Sequence, residues 1–194
     1  METLRVANII PTSEANGPGV HFTLWVQGCS LNCPGCYNKV LQNKSKGNEY
    51  SIDAIVKIIY NYWKDDKIRG ITLTGGEPLQ QAESILSLVK SVKKIERKIG
   101  IILLTGYYKT EIEKEEYFQE LQSHIDVLIA GRFVMDKKIQ EGLRGSSNKE
   151  YFFYSSIYSQ EEFESIPPTE VFIDNSGNIS LTGINPSIVR DFLK

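Results

Sequence analysis

The sequence predicts an α/β protein with a mostly parallel sheet and helices outside it. Short apolar runs such as "ITL", "IILL" and "VLIA" alternate with stretches of helical periodicity, which is typical of βαβ units. Runs without alternating polar residues suit strands that are covered on both faces. Four or five such units are too few to close an eight-stranded barrel. We therefore predict an open, partial (βα) barrel.

Five strands are predicted in the first 133 residues. A short lead-in strand covers residues 4–10, and a second strand at residues 21–28 runs directly into a loop that contains cysteines. The other three end in glycine and polar residues and cover residues 70–78, 99–107 and 125–133. In parallel α/β folds the ligand lies beyond the carboxyl ends of the strands, so these glycine turns and the cysteine loop are expected along one rim.

Three helices are expected between these strands. Ser51 is a candidate N-cap for a helix whose apolar residues keep helical spacing: Ile52, Ile55, Val56, Ile59, Tyr62 and Trp63. Residues 79–95 and 109–122 are the other two predicted helices. After Arg144 the pattern weakens. Residues 151–156 suit a strand, and residues 170–183 suit a hairpin about the "NSGN" turn.

Composition narrows the class of protein. The chain has 194 residues, 41% of them hydrophobic, and a net charge of −2. That length suits one domain over residues 1–194, and the balanced charge argues against nucleic-acid binding. No apolar stretch is long enough to span a bilayer, and the N-terminus lacks the apolar region of a secretory signal. We therefore expect a cytoplasmic protein without a membrane partner.

All three cysteines of the chain lie within eight positions, in the pattern C-x3-C-x2-C: Cys29, Cys33 and Cys36. Three thiolates on one loop suit an iron–sulfur cluster, which four cysteines normally hold. Because no fourth cysteine exists, a [4Fe–4S] cluster would keep one iron open, as a catalytic metal site requires. Structural zinc is the main alternative, but neither His21 nor His124 has zinc-finger spacing. Three ordinary buried cysteines are a further alternative.

These residues resemble the radical S-adenosylmethionine superfamily. Its hallmark is this cysteine pattern with an aromatic residue beside the last cysteine, the place that Tyr37 fills, followed by a Gly-Gly-Glu-Pro turn after the next strand, here Thr74–Pro78. Within it, residues 5–150 resemble the family of anaerobic ribonucleotide-reductase activating proteins. The segments that carry this likeness are "NGPGV", "GCSLNCPGCYNK", "LTGY", "DVLIAGRF" and "LRGSSN". The family often has arginine where His21 stands, and residues 151–194 lie outside the resemblance.

The resemblance implies the cofactors and their ligands. Cys29, Cys33 and Cys36 would hold a [4Fe–4S] cluster, whose fourth iron binds the amino and carboxylate groups of S-adenosylmethionine. The reduced cluster would cleave S-adenosylmethionine to methionine and a 5′-deoxyadenosyl radical, which takes a hydrogen atom from the substrate. The expected cofactor-binding residues are Gly35, Tyr37, Gly75, Gly76, Glu77 and Thr105.

Several of these positions have a second, structural interpretation. Glu77 either accepts a hydrogen bond from the cofactor or braces its turn and compensates a helix dipole. Thr105 and Gly106 are either cofactor contacts or an ordinary strand end. Arg132 meets a carboxylate of the cofactor or of a partner, or it is solvated. For Gly17–Gly19 the rigid turn is the favoured interpretation. The "RGSSN" stretch is either a ligand loop or a capped turn.

The resemblance also implies the partners. The substrate would be an anaerobic ribonucleotide reductase, one of whose glycines becomes a glycyl radical, and the electron donor a flavodoxin or a similar protein. One alternative keeps the chemistry and changes the substrate to a small molecule, as in 7-carboxy-7-deazaguanine synthase, or to a peptide. Another is an iron–sulfur electron-transfer module. The glycine-rich rim argues against that module, since a redox relay needs no second cofactor.

Overall fold

A seven-stranded sheet and a separate hairpin contain all the strands that the computed structural model describes, over residues 2–173 and 175–184. The strands are β1 (Thr3–Ser13), β2 (His21–Val26), β3 (Asn48–Ser51), β4 (Gly70–Gly75), β5 (Gly100–Thr105), β6 (Val127–Ala130), β7 (Glu150–Phe153), β8 (Glu170–Ile173) and β9 (Ile179–Thr182). The α-helices are α1 (Ile52–Lys64), α2 (Ala82–Ile95), α3 (Lys109–Ile112), α4 (Phe118–Gln122) and α5 (Gln160–Glu164).

The sheet has the strand order β3-β1-β2-β4-β5-β6-β7. The predicted parallel arrangement is confirmed for its four central strands, β2, β4, β5 and β6. The flanking strands β1, β3 and β7 pair antiparallel to their neighbours. Because β3 and β7 are its edges, the sheet does not close on itself among the described residues. The β8–β9 hairpin is antiparallel, as predicted.

The two faces of the sheet differ in polarity. Residues that alternate along the central strands pack beneath α1 and α2, and Phe22, Leu24 and Ile71 are among those with no exposed surface. The opposite face is polar at β2 and β4, where Thr23 and Thr72 are buried. At β5 and β6 this face is apolar and lies under the segment that includes α5. The polar half is therefore the half that is free to form a binding site.

Two predicted helices differ in detail from the observed ones. The predicted helix at residues 79–95 begins as a 3₁₀ turn, Pro78–Gln81, before α2. The predicted helix at residues 109–122 is two short helices, α3 and α4. Between them the backbone makes two four-residue turns, in which the Glu115 N–H donates to the Ile112 carbonyl and the Phe118 N–H donates to the Glu115 carbonyl. Ser51 caps α1 as predicted, with its hydroxyl accepting from the Ala54 N–H at 3.3 Å.

Within the described part of the chain, no helix has the length and apolar character needed to cross a membrane. The organisation as one domain stays a prediction.

Candidate functional site

The cysteine loop leaves the carboxyl end of β2 and is tied back at its base. The Gly28 N–H donates to the Leu41 carbonyl at 2.8 Å, and the Cys29 N–H to the Gln42 carbonyl at 3.2 Å. Gly28 has a φ of +100°, a conformation that L side chains rarely adopt. These bonds close the loop onto the short 3₁₀ turn Lys39–Gln42. The three thiols therefore lie on a loop whose two ends are joined by backbone hydrogen bonds.

All three cysteines line one cavity at the rim of the sheet. Its volume is about 400 Å³, and the cysteine side chains are partly exposed to it. The same cavity is lined by Gly75–Glu77, Thr105 and Gly106, which follow β4 and β5. The predicted rim is thus present, with segments distant in sequence around one space. A volume of this size suits a small-molecule or cofactor site.

The Gly75–Gly76 turn lets β4 pack against the base of the cysteine loop. The Gly76 N–H donates to the Val26 carbonyl at 2.8 Å, and the Glu77 N–H to the Gly28 carbonyl at 2.9 Å. A Cβ atom on Gly76 would collide with the Gly28 carbonyl oxygen. The glycines are therefore needed for the contact between these two segments. Their expected contact with a cofactor stays a prediction.

The buried carboxylate of Glu77 links its own turn to the end of β5. Its Oε1 accepts from the Thr105 hydroxyl at 2.7 Å and the Leu79 N–H at 2.9 Å, and its Oε2 accepts from the Gly106 N–H at 2.7 Å. Burial raises the pKa of Glu77 above its ordinary value, and these three hydrogen bonds act in the opposite direction. The bracing interpretation of Glu77 therefore has direct support, and Thr105 serves as its partner.

A segment that follows β6 covers the cysteine loop. The Tyr37 ring meets the Phe133 ring edge-on with centroids 5.0 Å apart, and the Lys138 Nζ lies 5.1 Å from the Tyr37 centroid. Gly35, with a φ of +71°, packs so close to Met135 that a Cβ atom would collide with its methyl group. Tyr37 is still 42% exposed, so one side of its ring remains available to a ligand.

Two cations of this covering segment are residues that the sequence analysis did not assign. Lys149 and Arg144 both line the cavity. Burial lowers the pKa of Lys149, while the nearby Glu77, Cys33 and Cys36 act to raise it. The Arg144 Nε is buried and has no hydrogen-bond partner among the described residues. Arg144 belongs to the "RGSSN" stretch, whereas no pattern in the sequence marks Lys149.

Arg132 and Gly17 have structural roles outside the cavity lining. Arg132 forms a two-pronged ion pair with Glu111, at 2.8 and 3.0 Å, and also donates to the Gly106 carbonyl. Its position therefore matches neither a solvated arginine nor a ligand contact. A Cβ atom on Gly17 would collide with the His21 ring, so the rigid-turn interpretation of Gly17–Gly19 has support.

His21 is fully buried behind the cavity wall. Its Nδ1 lies 2.9 Å from the Thr72 hydroxyl, and its Nε2 lies 3.0 Å from the Tyr158 hydroxyl. Burial and the nearby Arg69 guanidinium lower the pKa of His21 to about 3. No histidine lines the cavity within the described chain, which gives no support to a Cys₃His zinc site.

The donor set fits an iron–sulfur cube better than a single ion. Within residues 2–173 and 175–184, no three Cys, His, Asp or Glu side chains are grouped closely enough to hold one metal ion. A cube distributes its ligands over separate irons, so its thiolates stand farther apart than the ligands of one ion. Three thiols of one loop, spread around one cavity in a chain without another cysteine, fit that requirement.

The comparisons with known proteins agree with this chemistry. Residues 15–152 match the family model described as 4Fe-4S single cluster domain. Three relatives are named anaerobic ribonucleoside-triphosphate reductase-activating protein. The one from Vibrio cholerae is 39% identical and the match covers 72% of this chain and 91% of the relative. The one from Enterobacteria phage T4 is 35% identical, covering 73% and 88%, and the one from Escherichia coli K12 is 37% identical, covering 72% and 92%.

The matched length includes the cysteine loop, the Gly-Gly-Glu turn and most of the segment that covers them. It leaves β8 and β9 outside the family model. On the identity, the coverage and the shared cluster-domain model together, the chain belongs to the family of anaerobic ribonucleoside-triphosphate reductase-activating proteins.

Proposed function

We propose that this chain is a radical S-adenosylmethionine activase that generates a glycyl radical on an anaerobic ribonucleoside-triphosphate reductase. The observation that carries the proposal is one cavity lined by both motifs: the three cysteines of one loop and the Gly75–Glu77 turn. An electron relay would need the first motif alone. The relatives' name supplies the substrate, since each is called an activating protein of that reductase.

In this proposal Cys29, Cys33 and Cys36 hold the [4Fe–4S] cluster. When bound and reduced, the cluster supplies the electron that cleaves S-adenosylmethionine to methionine and the radical that takes a hydrogen atom from glycine. The protein contributes orientation and exclusion of water. The hydrogen bonds at Gly28 and Glu77 set the distance between the cysteine loop and the glycine turn. The contact between the Phe133 and Tyr37 rings covers one side of the cysteine loop.

Different residues of the rim are proposed to contact different parts of the cofactor. Backbone carbonyls at Gly75 and Gly76 and the ring of Tyr37 are proposed contacts for the amino group and adenosine of S-adenosylmethionine, with Gly35 beside them. Glu77 and Thr105 act chiefly by holding this rim. Lys149 is the proposed partner of the methionine carboxylate, because it is a partly buried cation that lines the same cavity.

Three further parts of the proposal rest on the sequence. We propose a curved sheet of the open, partial-barrel type, a flavodoxin or a similar protein as electron donor, and a cytoplasmic location. The open edges β3 and β7 are compatible with the first. Reduced thiols in a cysteine-poor chain favour the last.

The test begins with anaerobic reconstitution of the iron and sulfide. With S-adenosylmethionine and a strong reductant we expect 5′-deoxyadenosine, and with the reductase added, the electron paramagnetic resonance doublet of a glycyl radical. Cys33→Ser should abolish both, because it removes one cluster ligand. Ser30→Ala, in the same loop, should retain both.

Absence of 5′-deoxyadenosine from the wild-type protein would rule the proposal out. Cleavage without any glycyl doublet would redirect the assignment to a small-molecule or peptide substrate.

A further inference from the structure

We infer that the β8–β9 hairpin is a docking strip for the segment of the reductase that carries the reacting glycine. This inference rests on the proposed function and assigns a role to a part of the chain that lies beyond the matched residues 15–152. Its occupant is an extended, apolar segment of that protein substrate.

The hairpin is anchored beside the cavity by two polar contacts. The Glu170 carboxylate accepts from the Ser13 hydroxyl at 2.6 Å and from the Glu14 N–H at 3.1 Å. The Asn16 side-chain amide donates to the Thr182 hydroxyl at 2.8 Å. Both contacts hold the hairpin to the end of β1 and the turn that follows it. The hairpin is therefore a fixed part of the site's surroundings.

The end of the hairpin forms part of the cavity wall. Leu181, Thr182, Gly183 and Ile184 all line the cavity that contains the cysteines. Gly145 lies between the two sides: a Cβ atom built on it would be 3.6 Å from the Tyr37 ring and 3.7 Å from the Ile184 methyl group. Only one residue therefore separates the hairpin from the cysteine loop at this point.

One face of the hairpin is apolar and exposed. The strand register pairs Val171 with Leu181 and Ile173 with Ile179, so that these four side chains share a face. The exposed fractions are 43% for Val171, 69% for Ile173 and 47% for Ile179. The anchoring residues Glu170 and Thr182 belong to the other face. The apolar strip thus points away from its anchor.

The apolar strip is continuous with the cavity wall, and this continuity favours a protein segment as its occupant. Leu181 belongs both to the cavity wall and to the apolar strip, so the strip leads from the chemical site to the surface. A glycine inside a protein chain reaches the cavity only if the residues on both sides of it leave through the mouth. An extended segment that does so lies against this strip and buries its three exposed side chains. Neither a free metabolite nor the electron donor needs such a path.

The test replaces two strip residues and measures two activities. The double variant Ile173→Glu/Ile179→Glu places charges on the strip, and both sites are exposed, so folding should be preserved. We expect at least a tenfold loss of affinity for the reductase and of glycyl radical per chain. The yield of 5′-deoxyadenosine without reductase should stay unchanged. Ile95→Glu is the matched control, because Ile95 is 49% exposed at the end of α2.

The outcomes separate this inference from the proposed function. If the wild-type protein yields no glycyl radical, the proposed function fails. If the wild-type and double-variant proteins bind the reductase equally and yield equal radical, the docking strip is wrong and the proposed function stands. If size-exclusion chromatography shows a wild-type dimer that the double variant converts to a monomer, with reductase binding unchanged, a second copy occupies the strip, and the inference is likewise overturned.

Discussion

Two groups of opposite charge on the cavity wall, the buried Glu77 and the half-buried Lys149, differ in how many hydrogen bonds their side chains make. Glu77 receives three hydrogen bonds from the protein, so its carboxylate is already compensated. The Lys149 ammonium group donates no side-chain hydrogen bond within the described chain, and burial lowers its pKa and so disfavours its charged form. Withdrawing a cation from water without a partner is costly. An anionic group of a ligand would remove that cost.

Lys149→Met should weaken the binding of S-adenosylmethionine to the reconstituted protein by about ten- to a hundredfold. A hydrogen bond to a charged group contributes about 1.5–3 kcal/mol, and each 1.4 kcal/mol is a factor of ten in affinity. Equilibrium dialysis measures the affinity. Iron content and the visible absorption of the cluster should not change, which distinguishes a ligand contact from a structural role.

Lys149→Arg should recover part of the affinity because it keeps the charge. Lys114→Met, on an exposed turn, is the control and should bind like the wild-type protein. Equal affinity in Lys149→Met and wild type would contradict the assignment to the carboxylate.

Among the residues of the site, the sequence identifies those that belong to a short motif. It does not identify those that reach the site only when a distant segment folds over it. Cys29, Cys33 and Cys36 are recognisable from their spacing, and Glu77 from its turn. Lys149 enters the site only because residues 132–149 fold over the cysteine loop, through contacts such as Phe133 with Tyr37. No spacing rule relates a lysine to a loop more than a hundred residues earlier.

Among the elements, the contact between the cysteine loop and the β4 turn depends on backbone packing. The Gly76 Cβ position is filled by the Gly28 carbonyl, and backbone has little freedom to move aside. The Gly106 Cβ position, by contrast, meets the Leu31 Cδ1 at 2.5 Å, and that methyl group is the end of a flexible side chain. The two glycines therefore differ in what a methyl group would displace.

Gly76→Ala should lower the free energy of unfolding by about 1–3 kcal/mol, the usual cost of overpacking, and should reduce the iron bound on reconstitution. Gly106→Ala should have a smaller effect on both quantities because Leu31 can rotate. Urea unfolding of the cluster-free protein and iron analysis measure them. Equal losses in the two variants would show that the Gly28–Gly76 contact does not set the loop position.

The regular elements were predictable because strand and helix periodicity is local, as in β4, β5 and α1. Three features were not. The antiparallel pairing of β1, β3 and β7 is set by tertiary contacts. The break between α3 and α4 is set by four-residue turns, and the start of α2 by the 3₁₀ turn that Pro78 begins. The role of residues 170–182 beside the cavity also required the structure, since no motif marks them.

At the scale of the whole molecule, the C-terminal part is fastened to the sheet through a buried network at the opposite end of β2 from the cysteine loop. The Tyr158 hydroxyl lies against Gly70 and Gly100, where any Cβ atom would collide with it, and bonds to the His21 Nε2. The Arg69 guanidinium stacks 4.8 Å from the Tyr158 ring centroid and pairs with Glu162. Tyr158, which lies beyond the family match, therefore contacts the amino ends of β2, β4 and β5.

Burial and the nearby Arg69 favour a neutral His21 in this network. The Thr72 hydroxyl donates to the Asn16 carbonyl at 2.6 Å, so the His21 Nδ1 must donate to Thr72. The Nε2 is then the acceptor for the Tyr158 hydroxyl. Protonation of the Nε2 would turn the Tyr158 hydroxyl from donor into acceptor and would place a positive charge in a fully buried site near the Arg69 guanidinium. This geometry agrees with a pKa of about 3, caused first by burial and then by Arg69.

The free energy of unfolding should therefore fall as the pH is lowered. Between about 6.5, the unfolded value, and about 3, the folded value, the unfolded state binds more protons at His21, so stability is lost as the pH falls through this window. The slope from this residue approaches about 1.4 kcal/mol per pH unit below pH ~6. Urea unfolding of the cluster-free protein from pH 7.5 to 5 measures it.

His21→Gln should flatten that slope even if it lowers stability at every pH, because the glutamine does not titrate. His124→Gln replaces the other histidine of the chain and should keep the wild-type slope. In the described part of the chain, His124 lies on the surface and bonds to Ser123 and the Glu120 carbonyl. The comparison of slopes separates the proton linkage of one buried ring from the carboxylates that titrate in the same range. If His21→Gln retains the full slope, other groups cause the pH dependence of the free energy of unfolding. Protonation of His21 would then not weaken the contact between Tyr158 and the sheet.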